Sequence, residues 1–247
     1  MTALLRAELL KLRTTRTFIA LTGVAVGTSL LICVLVSVLS EPTQESVLTD
    51  VFTSDTSALF IVILAIVGIT GEWRHRTITS SLLAAPDRLR FLAAKTLAFA
   101  AAGLVLSLLI SIAVAIVGMV ILSARDLPTP ELGELVGQIL RNAEVAALLG
   151  ALGLALGTLV RNQPVAIVGV LVLAFVIEPT LLALAPDVGR FAPFSALSAS
   201  IQQIPASDVG AEDANLLSPG LAVLVMLAYI GSAFAVGAVL LRRRDLN

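Results

Sequence analysis

The sequence predicts an all-α polytopic membrane protein with six transmembrane helices, and three observations carry that prediction. Of the 247 residues, 58% are hydrophobic and only 13% are charged, and the mean hydropathy is +1.02. That leaves too little polar surface to solvate a globule. Six stretches are long and apolar enough to approach the roughly 20 residues that cross a bilayer core. Most of the cations fall on one side of those stretches, as the positive-inside rule requires.

The elements follow in chain order. Residues 1–16, MTALLRAELLKLRTTR, place Met1, Leu5, Leu9 and Leu12 on one helical face. Arg6 and Arg13 lie off that face, with Glu8 and Lys11 between. This spacing predicts an amphipathic helix lying along the inner leaflet. Leu4 and Leu10 interrupt the stripe, so a plain basic flank of the first span is the competing reading. Span one runs from Thr17 to Leu39 and lacks a small-residue cleavage site before the acidic segment, so it reads as a retained span. Its Cys33 is the only cysteine, which rules out an internal disulfide and fits a buried thiol.

The remaining spans are Ser54 to Thr70, which is short, Thr96 to Leu122, which is long, Ala143 to Val160, Val165 to Leu184, and Leu216 to Leu241. Polar or turn-forming residues bound them, as at Glu41-Pro42, Leu127-Pro128-Thr129-Pro130, Arg161-Asn162-Gln163-Pro164 and Ser218-Pro219. Thirteen of the sixteen Lys and Arg residues fall on one side of this arrangement: Arg6, Lys11, Arg13 and Arg16, then Arg74, Arg76, Arg88, Arg90 and Lys95, then Arg161, then Arg242 to Arg244. Arg125, Arg190 and Arg141 lie toward the other side, which collects acids such as Glu41, Glu45, Asp50, Asp55, Asp187, Asp208, Glu212 and Asp213. Both termini are therefore expected in the cytoplasm of a cell whose plasma membrane holds the chain.

The search for reaction chemistry returns little. The chain has no H-E-x-x-H, no G-x-S-x-G and no Cys/His cluster, and its one His stands in the basic segment 71–95. Neither a Ser/His dyad within the membrane nor a multi-His metal site can be assembled from it. No G-x-x-x-x-G-K-[ST] loop is present to cradle nucleotide phosphates. The chain is therefore expected not to be an enzyme, to carry no cofactor or metal of its own, and to have no nucleic-acid partner.

The segment 71–95, GEWRHRTITSSLLAAPDRLRFLAAK, breaks the apolar run and holds five of the sixteen Lys and Arg residues. An acid after a span, then Thr, a Leu pair, Pro, Arg, and a Lys entering the next span stand here as Glu72, Thr77, Leu82, Leu83, Pro86, Arg88 or Arg90, and Lys95. That order resembles the permease subunits of type-2 ABC exporters, of the type V exporter fold. Where the family often has Gly before the Thr, this chain has Arg76. The likeness extends over the whole chain, through Glu8-Leu9-Leu10-Lys11-Leu12-Arg13, the stretch Gly153 to Pro164, Glu178 near the end of span five, and the Arg-rich tail.

The resemblance implies a permease paired with a second permease, identical or different, and with two separate ATPase subunits that hold ATP and Mg. It also implies that segment 71–95 forms a coupling helix seated in an ATPase cleft. The residues suit that role: Thr77 and its Ser/Thr neighbours start a short helix, Leu82 and Leu83 form an apolar knob, and Pro86 ends it. Arg74, Arg76, Arg88 and Arg90 surround the knob and would steer it toward an acidic partner. Anchoring to anionic lipid is the plainer role for those arginines.

Ionisable groups at membrane depth are costly and mark candidate sites. Arg141 and Glu144, three residues apart, are expected to form an internal salt bridge. Glu178 precedes Pro179, which is expected to break span five and turn the chain back outward, with 185–215 as the re-entrant outer segment that the resemblance implies. Glu178 is then a gate or substrate contact, or a carboxylate capping nearby backbone. Gly23 and Gly27, and Gly150, Gly153 and Gly157, are spaced for close helix approach, within the chain or between chains. The scarcity of polar residues in the spans fits an amphipathic or lipid-like cargo such as a drug, an antimicrobial peptide or a lipid. The alternative is a stand-alone membrane protein, an immunity factor or ion-coupled carrier, with no ATPase partner.

Overall fold

In the computed structural model, the residues described are 2–74, 87–160, 162–210 and 215–243. They form helices and connecting turns, with no strand among them. We label the helices α1 (Thr2–Thr14), α2 (Arg16–Leu39), α3 (Val47–Val51), α4 (Ser57–Arg74), α5 (Arg88–Ala124), α6 (Leu132–Leu159), α7 (Gln163–Leu184), α8 (Pro186–Gly189), α9 (Ala196–Gln202) and α10 (Pro219–Arg243). Six of these, α2, α4, α5, α6, α7 and α10, are long and apolar enough to cross a membrane.

The helix ends differ from the edges of apolarity, because hydropathy marks bilayer contact whereas caps mark where a helix starts. α5 begins at Arg88 because the Asp87 carboxylate accepts the N–H groups of Leu89 (3.1 Å) and Arg90 (3.2 Å). α4 begins at Ser57, whose N–H donates to Asp55 at 2.8 Å. α6 begins at Leu132, eleven residues before the apolar run starts at Ala143, behind a reciprocal cap between Glu131 and Glu134. The expected loop 71–95 is correspondingly shorter: residues 71–74 continue α4 and 88–95 open α5.

Pro179 does not break span five. Its missing N–H would have bonded the Phe175 carbonyl, and the helix absorbs that defect in a π turn over Leu173–Ile177, where Glu178 N–H reaches the Leu173 carbonyl. The chain turns instead at Ala185, ahead of Pro186. α8 packs on the end of α7 and α9 folds back beside α6 and α10, so that residues 194–195 return to the level of Glu178. That level lies six residues, about 9 Å of helix rise, before the end of α7.

α6 is the central helix: 61% of its apolar window is buried, against 17% for α2. Glycine makes that burial tight. A Cβ on Gly150 would sit 2.6 Å from the Phe99 carbonyl of α5, and one on Gly153 would sit 3.0 Å from the backbone of Val62 in α4. The small residues of span four therefore pack within the chain, whereas Gly23 and Gly27 of α2 face open space. α4 and α6 pack in parallel and α5 runs antiparallel to both, which brings α1, the end of α4 and the start of α5 to one end of the bundle. α3 and the fold-back segment lie at the far end.

Candidate functional sites

At the α1 end, four charges meet, three of them in the protein interior and Lys11 at its edge. Lys95 of α5 is 1% exposed and donates to Glu8 Oε2 of α1 at 2.6 Å and to Glu72 Oε1 of α4 at 3.1 Å. Lys11 of α1 donates to the same Glu72 oxygen at 2.5 Å and lies 3.6 Å from Glu8 Oε1. The Phe91 ring, one turn before Lys95, lies 5.5 Å from its ammonium. Two acids and two bases cancel, which is what allows charges to leave water. Burial alone would lower the pKa of Lys11, but the hydrogen bond and charge of Glu72, helped by Glu8, outweigh it and raise that pKa.

This cluster ties α1 to both roots of segment 75–86. Glu72 itself is buried in the cluster. The buried face of α1 carries Glu8, while Arg6 and Arg13 are exposed. Arg74 is exposed at the end of α4 beside a cavity of about 440 Å³ that Lys11 and Glu72 also line. Arg90 is exposed and pairs with Asp87 at 3.0 Å, and Arg88 is half-buried. Arg76, Thr77, Leu82, Leu83 and Pro86 lie outside the described residues.

The far end holds a buried polar chain that sequence reading missed. Arg141 donates through Nε (3.3 Å) and Nη2 (2.9 Å) to Gln138 Oε1. Gln138 donates to Asn142 at 3.0 Å, Asn142 to Ser111 at 3.1 Å, and Ser111 to Asp55 at 2.8 Å. Ser107 also donates to Asp55. Every donor points from the guanidinium toward the carboxylate, so a cation and an anion are linked through three neutral side chains. Asn142 fills all its remaining positions with the Phe52 carbonyl (2.9 Å) and Gln202 of α9 (2.9 Å).

The expected bridge between Arg141 and Glu144 is not formed. Glu144 is exposed, and Arg141 turns to Gln138 and, at 3.2 Å, to Gln203. A carbonyl oxygen held in place by the buried network gives the guanidinium a fixed acceptor, which an exposed carboxylate does not. Gln203 closes α9 in the left-handed conformation (φ 59°), unusual without glycine, and this terminal position presents its side chain to Arg141.

Glu178 is the fourth buried carboxylate among the described residues, 1% exposed. Its Oε2 accepts from Phe194 N–H (2.9 Å), Ser195 N–H (2.8 Å) and Ser195 Oγ (2.9 Å). It thus caps the approach to α9, as one of the sequence readings has it. Its Oε1 accepts nothing, and no Lys or Arg among the described residues forms an ion pair with it. The side chain stands in the wall of a cavity of about 660 Å³ between α6, α7, α10 and the fold-back segment. The visible signal for Glu178 was its charge at membrane depth; for the polar chain it was Ser107 and Ser111 one turn apart in a long apolar helix.

No known family profile matches the chain. No curated protein matches it either. Composition and the six long apolar helices describe a multi-pass membrane protein.

Proposed function

We propose that this chain is the permease subunit of an ATP-driven ABC exporter of the type-2 family, moving an amphipathic or lipid-like substrate outward across the plasma membrane. Two ATPase subunits bind ATP and Mg and supply the energy, and a second permease completes the pore. Both termini face the cytoplasm, segment 75–86 with its flanks is the coupling element, and α8–α9 is the re-entrant outer segment.

The observation that carries this reading is the charge cluster at the α1 end. Glu72 stands at one root of the coupling segment and Lys95 follows the other, and Glu8 and Lys11 clamp α1 across both. A push on the segment would then move α1, α4 and α5 as one body, which is what conversion of ATPase closure into a change of helix packing demands. The basic residues Arg74, Arg88 and Arg90 around the segment fit an acidic cleft.

The test is to read the gene beside this one and, if its product carries a Gly-rich nucleotide loop, to measure co-purification of the two in mild detergent. Wild-type chain is expected to hold the ATPase, and Leu82→Glu and Leu83→Glu to lose it while the helices remain folded by circular dichroism. A chain that purifies alone, or Glu variants that still bind, would overturn the reading and favour the stand-alone alternative.

A further inference from the structure

We propose that the cavity beside Glu178 is a binding site for a lipophilic amine, with Glu178 as the counter-ion. The cavity's volume of about 660 Å³ lies within the range of sites that hold small organic molecules. Its walls are apolar and partly aromatic, with Leu152 and Leu156 from α6, Phe191 and Phe194 from the fold-back segment, and Tyr229 from α10. Such walls fit a hydrocarbon or ring system and offer little to a sugar or an inorganic ion.

The charge argument picks the remaining chemistry. A carboxylate taken out of water needs a proton or a cation close by. Glu8 and Glu72 have Lys95 and Lys11, and Asp55 has a hydrogen-bonded path to Arg141. Glu178 has neither among the described residues. Its Oε2 is saturated by three donors that fix the plane of the group, and Oε1 is left without a partner. An ammonium carried into the cavity by an apolar body supplies what is missing. A neutral or anionic molecule of the same shape does not, so the site discriminates by charge at one oxygen and by fit elsewhere.

Treating this ligand as transported cargo rests on the exporter reading above, but binding is measured on the chain alone. Failure to recruit an ATPase leaves the binding result intact, and absence of binding leaves the exporter reading intact. The full chain in phosphatidylcholine nanodiscs is titrated with monodansylcadaverine, a primary alkylammonium bearing an apolar fluorophore, and with its neutral N-acetyl derivative. Saturable blue-shifted emission is expected for the amine, weakened about tenfold or more by N-acetylation and by Glu178→Gln, each of which removes the charge pair. Gln keeps a carbonyl oxygen for Phe194 and Ser195, so the fold-back segment stays capped. Ala233→Phe, which fills the cavity from α10 and leaves the carboxylate in place, should abolish saturable binding as well. Equal binding of amine and acetyl derivative, undiminished binding by Glu178→Gln or by Ala233→Phe, or uptake no greater than that of empty nanodiscs would overturn the proposal.

Discussion

The two ends of the bundle bury carboxylates in different company. At the α1 end, Glu8 and Glu72 each face an ammonium at hydrogen-bonding distance, and the four charges sum to zero. At the far end, Asp55 meets only hydroxyls and a backbone N–H and reaches Arg141 through an ordered chain, while Glu178 is held by neutral donors on one oxygen and left open on the other. Burial is similar throughout, so burial alone does not separate a structural charge from a site. What separates them is whether the chain itself supplies the opposite charge. Glu72 also leaves one oxygen, Oε2, without a donor, but its other oxygen meets two ammonium groups, so that cluster is a joint; a carboxylate beside a cavity with no cation of its own is an opening for a ligand.

The comparison breaks most readily at Lys95. Lys95→Met leaves Glu8 without its short contact and Glu72 dependent on Lys11 alone, and removing one member of a buried pair costs about 3–5 kcal/mol. The unfolding transition in detergent should fall accordingly. Glu8→Gln combined with Lys95→Met should cost less than the two single changes added together, because the second removes a charge that the first stranded. A Lys95→Met transition within about 1 kcal/mol of wild type would mean that the cluster is not the joint described.

Asn142 tests the far end. Asn142→Leu withdraws the hub from Gln138, Ser111, Gln202 and the Phe52 carbonyl at once. The expected cost is about 1–2 kcal/mol, since polar contacts in membrane proteins average well below their value in a dry interior. Proteolysis within 186–210 should rise, because Gln202 links α9 to α6 through this residue. Unchanged protection would mean that the Glu178 cap alone holds the fold-back segment.

The six spans were legible because twenty-residue apolar runs are a strong local signal. Their ends were not, because Asp87 and Glu131 start helices outside the apolar runs, and Asp55 starts α4 at Ser57, inside the run read from Ser54. Glu178 stood out by its charge in an apolar stretch. Glu8 and Lys95 were both noticed, but nothing local told that they would meet, since 87 positions separate them. Asn142 and the Phe52 carbonyl are 90 apart, and a neutral amide carries no signal of its own in sequence. The π turn was hidden for a different reason: Pro179 marks a defect, and only the packing around α7 decides whether a defect becomes a break or a bulge.

Lys11 offers the smallest and sharpest contrast with Lys95, because it joins the same carboxylate from a side chain that is half exposed. Burial opposes its charge, but Glu72 and Glu8 win and its folded pKa lies above the ordinary 10.5. A raised folded pKa means that the charged lysine stabilises the fold fully below the unfolded value, and that this contribution is lost as pH climbs through the folded one. Wild type should therefore lose stability between about pH 9 and about pH 11.5 by more than Lys11→Met does. Taking the difference removes the titration of other groups common to both chains. Solvent screens a half-exposed ammonium, so the difference should be a fraction of the Lys95→Met effect. If the two chains respond alike to alkali, Lys11 decorates the cluster, and α1 is held by the Glu8 contact to Lys95 alone.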